Sequence, residues 1–535
     1  MSRVATPGVS PAAILGRMML AFEGERLPAW VAERLAAAPA AGMTVFRHHN
    51  VRSPGQIREL IEAFQRAGAG DRGRAGAPAS PLLVAADQEG GQLQALGDET
   101  TPFAGNMALG AVGDDGLAER VGEAIGREAR AMGINVVYAP VLDLASEPVN
   151  TALGVRSFGD DPAAVARLGA AMIRGLQGAG VAATIKHFPG LGEVREDTHF
   201  GLGAVDADRT QLDTTALVPF RAAIAAGARL AMSAHIAVPA LTGDPTLPAT
   251  LSAEVMDGLL RGELGFEGVS ISDALDMRAL AQGAGQAAQI EAAVRAGVDL
   301  LLCAADRDAQ TRIEAALRSA TAGGRFDGAA LEASRGRVDA LRAWLATAGP
   351  APDLAVVGST EHRALSRKLA ERSITLARGP LTDLPPHATI LAIMPEPTDL
   401  TPADTSSTVA PGLGRALRTR FSSVEEVVVG IAPTDAEIAG ARARAARVDA
   451  VVVGTIDAIR QSAQAELVRA LAGTVNRTVA VALRTPWDVA LYPADVPAIC
   501  TYSILPDSLD ALAAALAGAI PFRGRLPVSV PGFAA

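Results

Sequence analysis

The chain has 535 residues, which is more than one ordinary domain holds, so two or three domains are expected. Its net charge of −10 argues against nucleic acid or an anionic membrane as a partner. The N-terminus lacks the apolar run and small-residue cleavage site of a secretory leader, and no stretch reaches the roughly 18 apolar residues of a membrane span, so we expect a soluble cytoplasmic protein.

Short apolar runs alternate with longer amphipathic segments along the first part of the chain. Continuous apolar character over the length of a strand is typical of strands that are buried on both faces of a parallel sheet. Eight runs fit this pattern: 18–22, 43–46, 82–87, 135–144, 181–188, 228–236, 268–275 and 297–305. Eight strand–helix units are the number that closes a barrel, so we predict an α/β fold with a TIM-like (β/α)8 barrel as the catalytic domain over residues 1–346.

A segment rich in Pro, Gly and Ala follows the barrel pattern at 347–358, and we predict a linker over 347–372. Strand and helix patterns then alternate again, with apolar runs at 374–379, 389–395, 424–430, 449–455, 478–485 and 497–503. Six strands with covering helices predict a doubly wound α/β sandwich domain over 373–535. This domain shows no ionisable motif that indicates catalysis, so we expect it to pack on the barrel and to border its pocket.

Ionisable residues follow five successive strands of the predicted barrel. In such barrels the loops after the carboxyl ends of the strands build the active site. The residues at these positions are Asp87 and Glu89 after the third strand, Asp143 after the fourth, Lys186 and His187 at the fifth, His235 at the sixth and Asp273 at the seventh. The pattern predicts a catalytic site at this end of the barrel.

The motifs that are missing narrow the chemistry. No Cys/His cluster has zinc spacing, and neither a phosphate-binding GxxxxGK[ST] loop nor a dinucleotide-binding GxGxxG turn is present. Asp87 and Glu89 are carboxylates that could share a Mg²⁺ ion, but we favour a site with no metal and no cofactor. Carboxylates and histidines remain, and they suit acid–base or covalent catalysis on a polyhydroxylated substrate.

Several longer motifs occur in a fixed order. They are DQEGGQLQAL (87–96), APVLDL (139–144), GVRSFGDDP (154–162), KHFPGLG (186–192) with DTH (197–199), MSAHIAVPAL (232–241), LPATLS (247–252), GFEGVSISDALDM (265–277), ALRTPWDVALYP (482–493) and GRLPVSVP (524–531). In these motifs the chain resembles glycoside hydrolase family three, and within it the two-domain bacterial exo-β-N-acetylglucosaminidases. The resemblance implies a retaining β-glycosidase that removes terminal N-acetylglucosamine from small glycosides, such as muropeptide fragments in cell-wall recycling.

The resemblance also implies roles for individual residues. Asp273 corresponds to the nucleophile, whose attack on the anomeric carbon gives a covalent glycosyl-enzyme. This branch resembles enzymes whose acid/base is a histidine in an Asp-Ser-His loop, which here reads Asp197-Thr198-His199. His199 is therefore the expected acid/base, and Asp197 is expected to fix its tautomer and stabilise its charged form.

Substrate-binding roles follow in the same way. Asp87 is expected to hydrogen-bond the distal hydroxyls of the sugar, and the same subsite is expected to be lined by Arg156, Lys186 and His187. Asp143 is expected mainly to order the end of its strand, and His235 is a weaker candidate.

Two departures from the family pattern leave the leaving group and the preferred sugar open. Many relatives read Gly-His-Gly where this chain has Gly190-Leu191-Gly192, and the loop adds the charges of Glu193, Arg195 and Glu196.

Three alternatives to the main interpretation remain. The first is a β-glucosidase or a mixed-specificity enzyme of the same family. The second is a phosphorylase, because a histidine base does not repel phosphate as a carboxylate does. The third is a catalytically silent sugar-binding protein. In each case the partner is a small carbohydrate, and the sequence does not predict the oligomeric state.

Overall fold

The computed structural model describes residues 15–38, 40–69, 81–150, 152–381, 384–474 and 477–533. In these residues the chain forms a nearly closed barrel of eight parallel strands, followed by a separate six-stranded mixed sheet. The predicted fold class is confirmed. Residues 1–14, which the prediction assigns to the first domain, lie outside the described residues.

In the described residues, the first domain has twelve strands. They are β1 (Met18–Leu20), β2 (Gly42–Val45), β3 (Leu83–Ala86), β4 (Gln88–Gly90), β5 (Leu93–Gln94), β6 (Val136–Val137), β7 (Ala182–Phe188), β8 (Gly203–Ala204), β9 (Leu230–Ser233), β10 (Ile236–Ala237), β11 (Val269–Ser272) and β12 (Leu301–Leu302). The eight that form the barrel overlap the predicted apolar runs, and three short ones (β4, β5 and β8) lie outside those runs. The barrel order is β11-β9-β7-β6-β3-β2-β1-β12, and a parallel bridge between Ile271 and Leu300 brings its two edges together. The short strands β4 and β5 form an antiparallel hairpin outside the barrel.

Helices follow the strands and cover most of the outside of the barrel. They are α1 (Ala29–Ala37), α2 (Arg47–Asn50), α3 (Pro54–Ala69), α4 (Asn106–Val112), α5 (Asp115–Ala131), α6 (Pro162–Gly178), α7 (Arg209–Thr214), α8 (Leu217–Ala225), α9 (Pro239–Thr242), α10 (Gln286–Arg295), α11 (Arg307–Ala322) and α12 (Gly328–Ala346), with a π-helix at Glu254–Glu263. Of these, α2 lies at a cavity at the carboxyl ends of the barrel strands. Local sequence explains where the helices start. Asp161, for example, accepts a hydrogen bond from the Ala163 main-chain N–H at 2.9 Å and precedes Pro162, a residue suited to the first helical position.

The range predicted as a linker contains more structure than a simple connection. It holds a 3₁₀ turn at Leu354–Val356 and most of a helix, α13 (Thr360–Ser373). This helix packs on the barrel: Nδ1 of its His362 lies 2.8 Å from Glu128 of α5, and its Ser366 hydroxyl donates to the Pro102 carbonyl at 2.9 Å. The exact domain boundaries stay a prediction.

The second domain is an open sheet with one reversed edge strand. Its strands are β13 (Thr375–Arg378), β14 (Thr389–Pro395), β15 (Ser423–Val429), β16 (Ala450–Thr455), β17 (Thr478–Ala482) and β18 (Ala498–Cys500), in the order β13-β18-β17-β16-β14-β15. Only the β13–β18 pairing is antiparallel among the described pairs of this sheet. Its helices are α14 (Leu413–Leu417), α15 (Asp435–Ala445), α16 (Ser462–Ala472) and α17 (Pro506–Leu516).

The second domain docks on the barrel through the hairpin of β4 and β5. The Gln92 carbonyl, at the tip of this hairpin, accepts hydrogen bonds from the Thr405 main-chain N–H (2.8 Å) and hydroxyl (3.0 Å). The Gln94 N–H donates in turn to the Thr405 hydroxyl at 3.2 Å. Because the hairpin follows barrel strand β3, this contact brings the second domain to the rim formed by the carboxyl ends of the barrel strands.

None of the helices in the described part of the chain has the length and hydropathy that a membrane crossing requires.

Candidate active site

A cavity of about 440 Å³ opens at the carboxyl ends of the barrel strands, where the second domain meets the barrel. Six of the seven site residues predicted from the sequence line it: Asp87, Arg156, Lys186, His187, His199 and Asp273. The seventh, Asp197, contacts the ring of His199. The structure therefore brings the predicted residues together around one space.

Asp273 follows β11 directly and is held by main-chain hydrogen bonds. Its N–H donates to the Ser233 carbonyl at 3.2 Å, and one of its carboxylate oxygens, Oδ1, accepts from the Ala274 N–H at 2.7 Å. The next main-chain carbonyl, that of Ala274, lies 3.2 Å from Nε2 of His235. The side chain is partly exposed to the cavity, so its carboxylate can meet a bound molecule.

The surroundings of Asp273 keep it ionised. Burial alone would raise its pKa, but the neighbouring imidazole groups, His187 foremost, and the hydrogen bond from the Ala274 N–H hold the pKa below its usual range. An ionised carboxylate is the form that a nucleophile or an electrostatic stabiliser requires.

His235 contacts the main chain next to Asp273. Its Nδ1 lies 2.8 Å from the Thr250 hydroxyl, and burial lowers the pKa of the ring, which favours the neutral form. A neutral ring with its proton on Nε2 donates to the Ala274 carbonyl and fixes the chain next to Asp273. The ring thus acts on the position of the carboxylate.

A buried network of charged side chains borders the cavity at the carboxyl ends of β3 and β7. The Lys186 ammonium lies 2.6 Å from Oδ1 of Asp87 and 2.6 Å from Oε1 of Glu89. Arg156 forms a two-pronged contact with Glu89, from Nε to Oε2 and from a terminal nitrogen to Oε1, both at 2.9 Å. Among these four side chains Asp87 is the most open, with 23% of its side chain exposed, so it presents a carboxylate oxygen to the cavity.

The positive and negative side chains of this network stabilise one another in their charged forms. Burial alone would raise the pKa of Glu89, but the charges and hydrogen bonds of Arg156 and Lys186 hold it at about 2. Burial alone would lower the pKa of Lys186, yet the carboxylates of Asp87 and Glu89 raise it. The ammonium thus fills the place between the two carboxylates where a cation could otherwise bind. Within the described ranges, no group of three His, Cys, Asp or Glu side chains is arranged to hold a metal ion.

Asp143 orients His187 and the loop that begins after β7. One of its oxygens, Oδ2, lies 2.7 Å from Nδ1 of His187, and the other, Oδ1, accepts from the Leu191 N–H at 2.9 Å. The buried Leu191 therefore docks through its main chain. The ring of His187 is left with Nε2 as its second hydrogen-bonding atom.

The glycine-rich start of this loop packs closely against the main chain at Leu144, in the segment that follows β6. Gly190 has a φ of +119°, in the region that favours glycine, and a Cβ on Gly192 would lie 1.9 Å from the Leu144 carbonyl oxygen. The amide of Asn150 donates to the Val194 carbonyl at 2.7 Å and holds the following turn. The glycines of KHFPGLG are thus required by a turn and a close backbone approach.

The end of the loop carries the predicted acid/base pair. Nδ1 of His199 lies 2.6 Å from Oδ1 of Asp197, and the same oxygen accepts from the His199 N–H at 2.9 Å. Burial alone would raise the pKa of Asp197, but its contacts with His199 and with the Thr401 hydroxyl lower it. An ionised Asp197 keeps the proton of the ring on Nδ1, so Nε2 is the ring nitrogen that can exchange a proton with a bound molecule.

Some residues of the site were not predicted from the sequence. Glu89, named from the sequence as a strand-end residue and possible metal ligand, does not line the cavity but is the centre of the buried charge network beside it. The segment after β2, Phe46 with Arg47, His48 and His49, lines the cavity and could have been found by the same strand-end rule. The second-domain residues Pro402–Thr405 also line it, and they follow no pattern that marks a site.

Comparison with known proteins shows the family of the chain. The model of the glycosyl hydrolase family 3 N terminal domain matches residues 19–341, which is more than half of the chain. The chain belongs to glycoside hydrolase family 3. The predicted family and enzyme class are confirmed, and the protein is a glycoside hydrolase.

Named relatives extend this result. The family 3 chain is 37% identical over 291 residues to a beta-hexosaminidase from Stenotrophomonas maltophilia (strain K279a), which covers 53% of this chain and 82% of that protein. It is 34% identical over 371 residues to beta-hexosaminidase A from Pseudoalteromonas piscicida, covering 65% of this chain but only 61% of that protein. The solved structure of a glycoside hydrolase family 3 beta-N-acetylglucosaminidase from Paenibacillus sp. str. FPU-7 is similar with a TM-score of 0.91 and 35% identity, covering 98% of this chain and 99% of the other.

Proposed function

We propose that this family 3 enzyme is a retaining β-N-acetylglucosaminidase, with Asp273 as nucleophile and His199 as acid/base. The observation that carries the mechanism is that a carboxylate held ionised, Asp273, and an imidazole paired through Nδ1 with Asp197 face the same cavity. The similarity to beta-hexosaminidases and to a beta-N-acetylglucosaminidase structure supports the choice of sugar.

The chemistry takes two steps. In the first, the Asp273 carboxylate attacks the anomeric carbon while Nε2 of His199 gives its proton to the departing oxygen, leaving a glycosyl ester on Asp273. In the second, the neutral ring removes a proton from water, which attacks the anomeric carbon and releases Asp273. Two displacements at one carbon retain the β configuration.

The charge network supplies sugar recognition in this proposal. Asp87 accepts hydrogen bonds from distal hydroxyls, and the Lys186 ammonium beside it keeps that carboxylate in place. Arg156 fixes Glu89, and His187 presents Nε2 to the same subsite. Charge-assisted hydrogen bonds to hydroxyls are stronger than neutral ones, so these groups bind the ring firmly as it distorts toward the transition state.

The proposed biological substrates are small glycosides with terminal N-acetylglucosamine, such as muropeptide fragments, and the proposed site of action is the cytoplasm. A β-glucosidase, a mixed-specificity enzyme and a phosphorylase share the same nucleophile geometry, so they are separated by assay. A histidine acid/base admits an anionic acceptor, which makes phosphate the acceptor to test against water.

The experiment is a panel of 4-nitrophenyl β-glycosides of N-acetylglucosamine and glucose, and a disaccharide ending in N-acetylglucosamine, each with and without phosphate. We expect higher kcat/KM for N-acetylglucosaminides, and free N-acetylglucosamine as the product with first-formed β configuration by NMR.

Each alternative has its own outcome. A higher kcat/KM on the glucoside identifies a β-glucosidase, and a glycosyl phosphate as the main product identifies a phosphorylase. An α-configured first product contradicts retention. Sugar binding by calorimetry without turnover of any substrate identifies a silent binding protein.

A further inference from the structure

The second domain reaches the proposed acid/base pair directly. The Thr401 hydroxyl, in the segment between β14 and α14, donates to Oδ2 of Asp197 at 2.9 Å. Thr401 is almost completely buried, with 4% of its surface exposed, although it lies in an irregular segment. A buried hydroxyl that donates to a carboxylate across a domain interface is a specific contact and not a chance surface one.

This contact fixes the rotation of the Asp197 carboxylate. Oδ1 already accepts from both the ring Nδ1 and the main-chain N–H of His199. Oδ2 is the other oxygen, and the Thr401 hydroxyl binds it. With both oxygens engaged, the carboxylate plane is set, and with it the plane of the imidazole.

The segment that carries Thr401 is itself anchored by a buried ion pair. Asp404 accepts from the Leu400 N–H at 3.1 Å, next to Thr401, and from Arg484 at 2.8 Å. Both members of this ion pair are almost fully buried, with side-chain exposures of 3% and 0%. Arg484 also donates to the side chain of Gln92, on the barrel hairpin. Thr401 is therefore held by the same contacts that dock the two domains.

We propose that Thr401 is a positioning residue for the acid/base step, through which the docked second domain sets the orientation of Asp197 and His199. The inference rests on the proposed role of His199. Thr401 acts through Asp197 and does not touch the reacting atoms. Its effect should therefore be confined to those steps in which His199 moves a proton.

The test compares Thr401→Val, which keeps the shape and removes the hydroxyl, with Thr401→Ser, which keeps the hydroxyl. For substrates with poor leaving groups, we expect Thr401→Val to lower kcat/KM by roughly fivefold to thirtyfold, since a hydrogen bond to a charged group is lost. For 4-nitrophenyl glycosides, whose leaving group needs no proton, kcat/KM should change less than about threefold. Thr401→Ser should restore most of the activity on poor leaving groups.

Two further variants isolate the contact. Thr398→Val removes a hydroxyl from the same segment that donates to the neighbouring Glu396 carbonyl at 3.1 Å, and it should leave every rate unchanged. In an Asp197→Ala background, Thr401→Val should add no further loss, because the group it orients is gone. Melting temperatures of all variants establish that each one is folded.

The outcomes separate this inference from the proposed function. If His199→Ala shows a leaving-group-dependent loss and Thr401→Val does not, the positioning role is wrong and the acid/base assignment stands. If Thr401→Val slows all substrates by one factor, or adds its full loss in the Asp197→Ala background, Thr401 is only a structural contact. If His199→Ala itself shows no leaving-group dependence, the acid/base assignment fails first.

Discussion

Both domains place carboxylates beyond the carboxyl ends of parallel strands, but the two sets have opposite electrostatics. In the barrel, the pKa of Glu89 is held at about 2, and the pKa of Asp273 lies below its usual range. In the second domain, burial and the neighbouring Asp488 raise the pKa of Asp457 to about 7. Burial likewise raises the pKa of Asp488 to about 6, although the Thr455 hydroxyl and main-chain N–H groups oppose this shift.

The difference comes from what surrounds each carboxylate. The barrel carboxylates have ammonium, guanidinium or imidazole partners and border an open cavity. Asp488, by contrast, accepts from the Thr455 hydroxyl and the Ile459 N–H in the core, where burial outweighs the opposing charge of Arg484. Position at a strand end is thus shared by a candidate active site and by a buried polar cluster. What separates the two is charge compensation that outweighs burial, together with access for a substrate.

The largest expected effect comes from removing the charge at Asp273. Asp273→Asn keeps the shape of the site but removes the nucleophile, so kcat should fall on the order of 10³-fold or more with the fold intact. Steady-state kinetics and melting temperature measure this. Asp276→Asn, which changes another carboxylate lining the same cavity, is the control and should lose far less activity. Near-normal turnover by Asp273→Asn contradicts the assignment.

The next effect concerns proton transfer at His199. For His199→Ala, kcat/KM should fall about 10²- to 10³-fold on glycosides with poor leaving groups and little on 4-nitrophenyl ones. On activated substrates breakdown of the glycosyl-enzyme becomes limiting, and azide, which needs no base, should restore part of kcat. Asp197→Ala should show the same pattern more weakly, because the imidazole remains. An equal loss on all substrates with no azide effect makes the histidine a binding or structural residue.

A smaller effect, which does not depend on the leaving group, is expected at Asp87. If Asp87 binds distal hydroxyls, Asp87→Ala should lower kcat/KM by a similar factor for every leaving group, roughly 10- to 100-fold. A series of aryl glycosides of graded leaving-group acidity measures this. A loss that grows as the leaving group becomes poorer would instead indicate that Asp87 takes part in proton transfer.

The smallest effect on activity, and the sharpest test of the electrostatic contrast, lies in the second domain. Because the pKa of Asp457 is raised from 3.8 to about 7 in the folded chain, its contribution to stability is greatest below about pH 4 and is lost as the pH rises to 7. Asp457→Asn should therefore stabilise the protein at pH 8, on the order of 3 kcal/mol, and have little effect at pH 4.

Denaturant unfolding at the two pH values measures this, with kcat as the check that the active site is undisturbed. Asp495→Asn changes an exposed carboxylate of the same domain and should alter stability at neither pH. Destabilisation of Asp457→Asn at pH 8 would show that the ionised carboxylate is favourable in the folded protein.

Much of the fold could be predicted from the sequence, for a physical reason. Most strands of the two sheets are buried on both faces and therefore mostly apolar, and each of the eight runs in the barrel and the six in the second domain contains a strand, including the largely exposed edge strand β15. The end of the linker was harder to predict, because the Pro- and Gly-rich stretch at 347–358 ends before residue 372, the predicted boundary. Helix α13 (Thr360–Ser373) starts immediately after it, with Ser359 as its cap.

The site was predictable where residues follow strands and was missed where contacts join distant segments. Asp273 and Lys186 stand at strand ends, where a general rule applies. Thr401 contacts Asp197 across 204 positions and lies in a segment without periodicity, so only the docking of the two domains shows its place. The pairing of Glu89 with Arg156 likewise depends on the folded barrel.

The most direct test of the proposed mechanism is to trap the glycosyl-enzyme. The protein is incubated with a 5-fluoro N-acetylglucosaminyl donor, which slows breakdown of the intermediate, and is then digested and sequenced by mass spectrometry. We expect one added 5-fluoro-N-acetylglucosaminyl group per chain, on Asp273, and no label in Asp273→Asn. A label on Asp87, Glu89 or any other carboxylate, or rapid turnover with a first-formed α product and no label, would contradict it.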